Sequence, residues 1–388
     1  MRPHGTRCSG SVGCFEKMKQ VDQFNRYMMM LARDSRGHTQ SALAQRMNVA
    51  QGTISKIEAG MSEPPRNFVE ELASVLNYTP EFFYETGRPY GMPPFHYRRR
   101  KKLGQKPLDK MIAEMNIRRL HLRILLRSYD ARSNGFIPEI DRNEYQSFVS
   151  RAFSVEDAAR HLREQWMLPD GPIDNVTDLI EENGGVVIPC NFDNDLIDAV
   201  SQRIDGIPVL FFVNMNAPAD RIRMTLCHEL AHMVLHTTTL LEDEVMEDEA
   251  DLFAGAFLLP AKSIRAQLNK FDIRQIANLK RHWKVSMSSI AMRADRLNMI
   301  TPYQKKSFFI EMSKLGYRKS EPYEPKKEYP KKLSRLISHH LNVLGYSTPE
   351  LAKALYISAA EFEKMYGQDM LGSKEDGGKP RPTLRLIQ

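Results

Sequence analysis

The stretch TLCHELAHMVLH, Thr225 to His236, decides how the second half of this chain folds. Its apolar residues recur at helical spacing, and on a helix His228 and His232 lie one turn apart on one face, about 6 Å from each other. Two imidazoles at that separation can bind one tetrahedral zinc ion. Glu229 lies between them, where a carboxylate can take a proton from a metal-bound water. The pattern predicts a zinc-binding helix with a hydrolytic base.

A third zinc ligand is expected in the segment MEDEADLFAGAFLLP, residues 246–260, which reads as a second helix ended by Pro260. Glu249 and Glu247 are the candidates. Because they lie about 200° apart around a helix, only one of them can face the ion. His236 lies about 12 Å along the helix from His228, too far to share an ion, so we expect it to contact a metal ligand or the substrate.

Length and composition narrow the class of protein. A chain of 388 residues with a net charge of +7 predicts two or three domains and favours polyanionic partners. The four cysteines show no CxxC spacing, which argues against a disulfide framework and against a thiolate zinc site. No apolar run is long enough for a membrane span or a signal peptide, so we expect a cytoplasmic protein without a membrane partner.

A second motif lies in the first hundred residues. The segment TQSALAQRMNVAQGTISKIEAG, residues 39–60, places an N-cap at Thr39, a first apolar set around Ala44 and a second around Ile54. Asn48 tolerates the left-handed backbone that a sharp turn needs. These residues predict two short helices joined by a tight turn.

The segment resembles the helix-turn-helix of the XRE, or Cro/cI, repressor family over residues 24–84. The resemblance implies that residues 51–58 enter the major groove of double-stranded DNA. Gln51 and Lys56 would then face base edges, and Gln40 and Thr53 would contact phosphates. A helical protein-interaction module is the alternative. The basic run RRRKK, residues 98–102, either extends the phosphate contact or is a solvated linker.

Two β-branched and aromatic runs, GVVIPC and IPVLFFVN, predict strands between amphipathic helices. We therefore expect an α+β fold, with an all-α helix-turn-helix head and a mainly helical zincin-like domain that contains a small β-sheet and the HExxH helix. The order of the motifs from about residue 155 to 322 resembles the ImmA/IrrE family of zinc metallopeptidases, which are often fused to an XRE helix-turn-helix.

This second resemblance implies a gluzincin-like endopeptidase in which His228, His232 and Glu249 hold zinc and Glu229 is the general base. It favours Glu249 because the family places its ligand at the Glu-Ala pair. The implied substrate is a specific repressor, usually one with its own XRE domain, cut in a stress response or in the control of a mobile element. The alternative is a DNA-binding regulator, or a toxin-antitoxin component, whose zinc site is structural or sensory. A homodimer is compatible with the sequence.

The expected organisation has five parts. They are a disordered leader (1–17), the helix-turn-helix domain (18–90), a basic linker with connector helices (91–150), the metallopeptidase domain (151–322) and a C-terminal helical module with a disordered tail (323–388). The module segment STPELAKALYISAAEFEKM, residues 347–365, repeats the apolar spacing of the helix-turn-helix. Glu361 and Glu363 on its second helix disfavour DNA contact, so packing or partner docking is the preferred interpretation.

Overall fold

The computed structural model describes residues 23–91, 104–128, 135–142, 154–190, 192, 197–238 and 241–372. These residues form sixteen α-helices, one 3-10 helix and three strands, which confirms the expected α+β class. The helices are α1 Arg26–Ser35, α2 Gln40–Arg46, α3 Gln51–Glu58, α4 Arg66–Leu76, α5 Gln105–Arg127, α6 Val155–Gln165, α7 Val176–Glu182, α8 Ala219–Leu235, α9 Asp243–Leu258, α10 Ala261–Gln267, α11 Ile273–Trp283, α12 Met287–Arg296, α13 Pro302–Lys314, α14 Lys332–Asn342, α15 Thr348–Ala354 and α16 Ala359–Gly372.

The head consists of α1 to α4 and the 3-10 helix Pro80–Tyr84. The Thr39 hydroxyl accepts a hydrogen bond from the Ala42 amide at 3.1 Å and so begins α2, as expected of an N-cap. Asn48 adopts a φ of 49° in the turn between α2 and α3. Short polar side chains tolerate this left-handed conformation, which lets the chain reverse within a few residues.

The sheet has the strand order β1-β3-β2, with β1 Gly185–Cys190, β2 Ala199–Gln202 and β3 Val209–Asn214. β1 runs parallel to β3, and β2 pairs antiparallel with β3 at one edge of the sheet. The two longer strands match the predicted apolar runs. The sequence AVSQ of β2 was not predicted because four residues, two of them polar, give too little alternation to indicate a strand.

The two faces of the sheet belong to different cores. Val187 and Phe211 point to one face and pack in a core with Leu226 and Leu230 of α8. Val186 and Leu210 point to the other face, in a core that also contains buried residues of the head, of α5 and of α14 to α16. Since side chains alternate along a strand, β1 and β3 serve both cores at once.

Helix α5 lies in the region expected to hold a basic linker and connector helices, and its buried residues are part of the second core, where it contacts α1 and α14. The basic run at residues 98–102, the leader at 1–17 and the tail beyond residue 372 lie outside the described residues. Among the described residues, no helix has both the length and the apolar character that crossing a membrane requires.

The C-terminal helices α15 and α16 pack on the head. The Thr79 amide donates to the Tyr356 carbonyl at 2.9 Å, and Arg36 forms an ion pair with Glu361 at 2.6 Å. Phe362 and Tyr366 of α16 are buried. The helix that corresponds to α3 in this internal repeat therefore faces the protein interior, in agreement with the packing interpretation.

The charged segment before α14, residues 319–331, forms a strap along the protein. Its glutamates cap the N-termini of other helices. Glu321 accepts from the Met287 amide of α12 at 2.7 Å, Glu324 from the Ala219 amide of α8 at 3.2 Å, and Glu328 from the Val176 amide of α7 at 2.8 Å. Carboxylates at these ends satisfy amides that lack helical partners and interact favourably with the helix dipole.

Glu328 also forms an ion pair with the buried guanidinium of Arg223. We expect Glu328→Ala to lower the free energy of unfolding by about 3–5 kcal/mol, because the substitution leaves a buried cation without its carboxylate. Urea unfolding followed by the fluorescence of buried Trp283 measures this change. Glu324→Ala, at an exposed position of the same strap, is the control and should cost about 1 kcal/mol or less. Equal losses for the two variants would contradict the assignment.

Candidate metal centre and DNA-reading surface

Three side chains from α8 and α9 converge at one point. The Nε2 atoms of His228 and His232 are 3.2 Å apart, and the two carboxylate oxygens of Glu247 each lie 3.6 Å from one of them. Zinc bonds of about 2.0–2.2 Å in tetrahedral geometry place ligand atoms roughly 3.3 to 3.6 Å apart. Two imidazoles and a carboxylate at this spacing fit zinc, and they leave the fourth position for a water or a substrate.

The structure differs from the sequence-based expectation in the third residue, since Glu247 and not Glu249 lies beside the histidines. The Oε2 atom of Glu249 is 3.0 Å from Nε2 of His236, and its carboxylate forms an ion pair with Arg142. The two glutamates point in nearly opposite directions around α9, so only one of them can face the histidines. The Glu-Ala pair, which pointed to Glu249, does not mark the glutamate that faces His228 and His232 in this structure.

Asp251 is a residue that the sequence reasoning missed. Its Oδ1 atom is 2.8 Å from Nδ1 of His228. In the tautomer whose Nδ1–H donates to Asp251, the Nε2 lone pair of His228 is free to bind a metal. Burial acts to lower the pKa of His228, but the bond to Asp251 and the nearby carboxylates raise it above its usual value. The same negative charges favour a cation at Nε2.

The missed signal lies in the spacing of the segment EDEAD. Glu247 and Asp251 are four residues apart, as His228 and His232 are, so each pair occupies one face of its helix. In the structure these two faces meet, and Glu247 and Asp251 contact opposite nitrogens of the same imidazole. Of the two candidate glutamates, only Glu247 is followed by a carboxylate four residues later.

His236 lies next to His232, outside the group of ligand atoms. Their Nδ1 atoms are 2.9 Å apart. The Nε2 atom of His236 contacts the Glu249 carboxylate, which in turn accepts a hydrogen bond from Arg142. If Nε2 of His232 binds a metal, its Nδ1–H donates to His236, whose Nε2–H donates to Glu249. Burial acts to raise the pKa of Glu249, but the bonds from His236 and Arg142 lower it to about 2. The carboxylate of Glu249, between His236 and Arg142, is therefore charged at neutral pH.

Glu229 is fully buried and faces the edge strand β2. Its Oε2 atom accepts hydrogen bonds from the Ser201 amide at 2.9 Å and from the Ser201 hydroxyl at 2.7 Å. Two donors on one oxygen hold the carboxylate in a defined orientation, and its charge acts on the adjacent His228. Ser201 could not be found from sequence because β2 was not predicted.

On the head, the predicted DNA-contacting residues lie at the start of α2 and along α3. Gln51, Thr53 and Lys56 are exposed on α3. The Gln51 amide donates to the side-chain oxygen of Gln40 at 2.8 Å, and the Gln40 amide donates to Glu58 at 2.7 Å. The second bond fixes the Gln40 side chain and thereby orients Gln51. The structure thus brings Gln40 and Gln51 together, while Thr53 and Lys56 are exposed further along α3.

Comparison with known proteins adds two matches. Residues 180–295 match the Peptidase_M78 model, described as an IrrE N-terminal-like domain, and residues 29–83 match the HTH_3 helix-turn-helix model. A search of the curated proteins finds no match. The crystal structure of ComR from Streptococcus suis aligns over 91% of this chain and 90% of that chain, at 11% identity and a TM-score of 0.15, which is too low to indicate a shared fold.

Proposed function

We propose that this chain, which carries an IrrE-like peptidase domain behind an XRE-type helix-turn-helix domain, is a zinc-dependent endopeptidase that cuts a transcriptional repressor. The two family matches support a regulatory protein with a DNA-binding domain and a metallopeptidase-type domain. The observation that carries the cleavage proposal is the convergence of His228, His232 and Glu247 at zinc-ligand spacing, with Glu229 next to His228 in sequence.

Each residue of the site has a distinct task in this proposal. His228, His232 and Glu247 hold the ion, and zinc, when bound, supplies the Lewis acidity that makes attack of water on a peptide bond feasible at neutral pH. Asp251 and His236 hold the two imidazoles in the tautomers that present Nε2 to the ion.

Glu229 takes the proton of the attacking water and returns it to the departing amine. The two hydrogen bonds from Ser201 support this role because they fix one carboxylate oxygen. A base held in one orientation loses less conformational freedom when the substrate arrives.

The trapping experiment uses the native cytosol with the wild-type protein and with Glu229→Gln, which should bind zinc and substrate without cutting. We expect the variant to retain an intact DNA-binding repressor that the wild type converts into fragments with new N-termini, both identified by mass spectrometry. If both forms retain the same partners and no new N-termini appear, the peptidase proposal fails. The chain is then better described as a DNA-binding regulator with a structural or sensory zinc site.

We further propose that α3 reads double-stranded DNA through Gln51 and Lys56, with Gln40 and Thr53 at phosphates. Replacing Gln51 and Lys56 together by alanine is expected to weaken binding to the preferred duplex about 10- to 100-fold, since a good base contact contributes about 1–3 kcal/mol. The duplex is first selected from chromosomal fragments by the wild-type chain, and affinity is then measured by fluorescence anisotropy at one fixed salt concentration.

Lys364→Ala is the matched control, because Lys364 holds the position of Lys56 in the C-terminal repeat and is also exposed. It should bind the duplex as the wild type does. If the double variant keeps full affinity as well, the head is better assigned to protein docking.

A further inference from the structure

A groove of about 760 Å³ lies along α13, between the C-terminal end of α12 and Arg318. Its lining combines cationic with apolar side chains. The cations are Lys305, Lys306, Lys314 and Arg318, and Asp295 is the carboxylate among the lining residues. A volume of this size is in the range of sites that enclose small ligands or short peptide segments.

The charges in the groove do not cancel. Asp295 pairs with Lys305 at 2.6 Å. Among the ion pairs of the described residues, none involves Lys306, Lys314 or Arg318, and all three side chains are exposed. The groove thus presents three cations to whatever enters it, and a ligand with carboxylates would neutralise them.

Apolar atoms lie beside these cations. The guanidinium of Arg318 lies 5.1 Å from the ring centre of Phe309 and donates to the Ser313 hydroxyl at 3.1 Å, which fixes its position. Ile310 is 47% exposed. A ligand that fits both features carries acidic groups next to an apolar side chain, which an extended or helical peptide segment provides.

A series of contacts leads from the groove to the helix that carries Glu247. Helix α12, which contributes Asp295, packs against α9 through Arg293, whose Nε donates to the Leu259 carbonyl at 2.9 Å. The next exposed cation, Arg296, has its Nη1 within 4.0 Å of the position that a Cβ on Gly255 would take. Gly255 lies four residues beyond Asp251 and therefore on the same face of α9. Asp295 of the groove, next to Arg296 in sequence, thus links the groove to the helix that carries Glu247 and Asp251.

We propose that this groove binds an acidic segment of the protein substrate, flanking the bond to be cut. The inference rests on the proposed peptidase function and deepens it by naming the charge of the substrate. Double-stranded DNA is the less favoured ligand, because the phosphate backbone has no apolar group to contact Phe309 and Ile310. In addition, the residues expected to read DNA lie on the surface of the head, whose buried residues belong to the other core.

The test uses the full chain with Glu229→Gln, so that nothing is cut during the measurement. The probe is a short fluorescein-labelled peptide in which glutamates alternate with leucine and phenylalanine, compared with the same peptide carrying glutamine for glutamate. We expect the acidic peptide to bind better than the glutamine peptide, and Lys306→Glu with Lys314→Glu to weaken its binding about tenfold or more.

The matched control is Lys262→Glu with Lys353→Glu, which makes the same change of net charge at two exposed positions outside the groove. It should leave peptide binding within about twofold of the parent. Equal weakening by both double variants, or no weakening by the groove variant, would overturn the proposal. Weakening of duplex DNA binding by the groove variant, with peptide binding unchanged, would assign the groove to DNA. Failure of the peptidase function itself would appear separately, as the absence of cut products in the trapping experiment.

Discussion

Glu247→Gln is expected to lower the affinity for zinc by about two to three orders of magnitude and to abolish peptidase activity at limiting zinc. A four-ligand zinc site is worth about 10–16 kcal/mol in total, so one ligand accounts for roughly a quarter of that free energy. The neutral amide oxygen of glutamine is a much poorer partner for the ion than the carboxylate that lies 3.6 Å from both histidine nitrogens. Competition with a fluorescent zinc chelator measures the affinity.

Glu249→Gln is the decisive comparison, because it makes the same chemical change two residues away. Glu249 contacts His236 and Arg142 and acts on His232 only through His236. We expect its substitution to change the zinc affinity by about tenfold or less, since outer contacts of metal sites contribute less than the ligands themselves. The reverse order, with Glu249→Gln losing zinc and Glu247→Gln keeping it, would restore the assignment that the family resemblance implies.

Glu229→Gln is expected to reduce kcat/KM for the trapped repressor by about 10²- to 10⁴-fold, the usual contribution of a general base. Zinc content should remain at the wild-type level, because Glu229 faces Ser201 and is not one of the ligand candidates. Steady-state cleavage followed by chromatography gives the rates, and metal analysis of the same samples gives the zinc content.

Asp248→Asn serves as the control for Glu229→Gln, since it removes one negative charge from an exposed position of the neighbouring helix. Its rate should stay close to that of the wild type. If Glu229→Gln cleaves the repressor at a wild-type rate while retaining zinc, Glu229 is not the base, and the catalytic assignment falls even though the metal centre stands.

The parts of the fold that could be predicted are those with local signals. The period of residues 225–236 indicated a helix, and Thr39 and Asn48 indicated where α2 begins and where the turn lies. Helix α3 spans Gln51–Glu58 in the structure, as expected from the sequence. In each case a cap, a turn residue or an apolar period within about ten residues was sufficient.

The parts that could not be predicted depend on contacts between distant segments. The choice between Glu247 and Glu249 depends on how α9 is rotated against α8, which no local pattern encodes. β2 exists because β3 pairs with it, and Ser201 reaches Glu229 only through that pairing. The capping role of the strap glutamates could not be predicted because the helix ends they cap lie about 35 to 150 residues earlier in the chain.

The sheet that serves two cores has a consequence for how the chain can be divided. The family match to the peptidase covers residues 180–295, but a fragment with those bounds would expose Val186, Ile188, Leu210 and Phe212, which now lie against the second core. A contiguous apolar patch of this kind promotes self-association in water. We therefore expect the head and the half that carries the candidate metal centre to unfold as one cooperative unit, and a fragment truncated at the apparent boundary to aggregate.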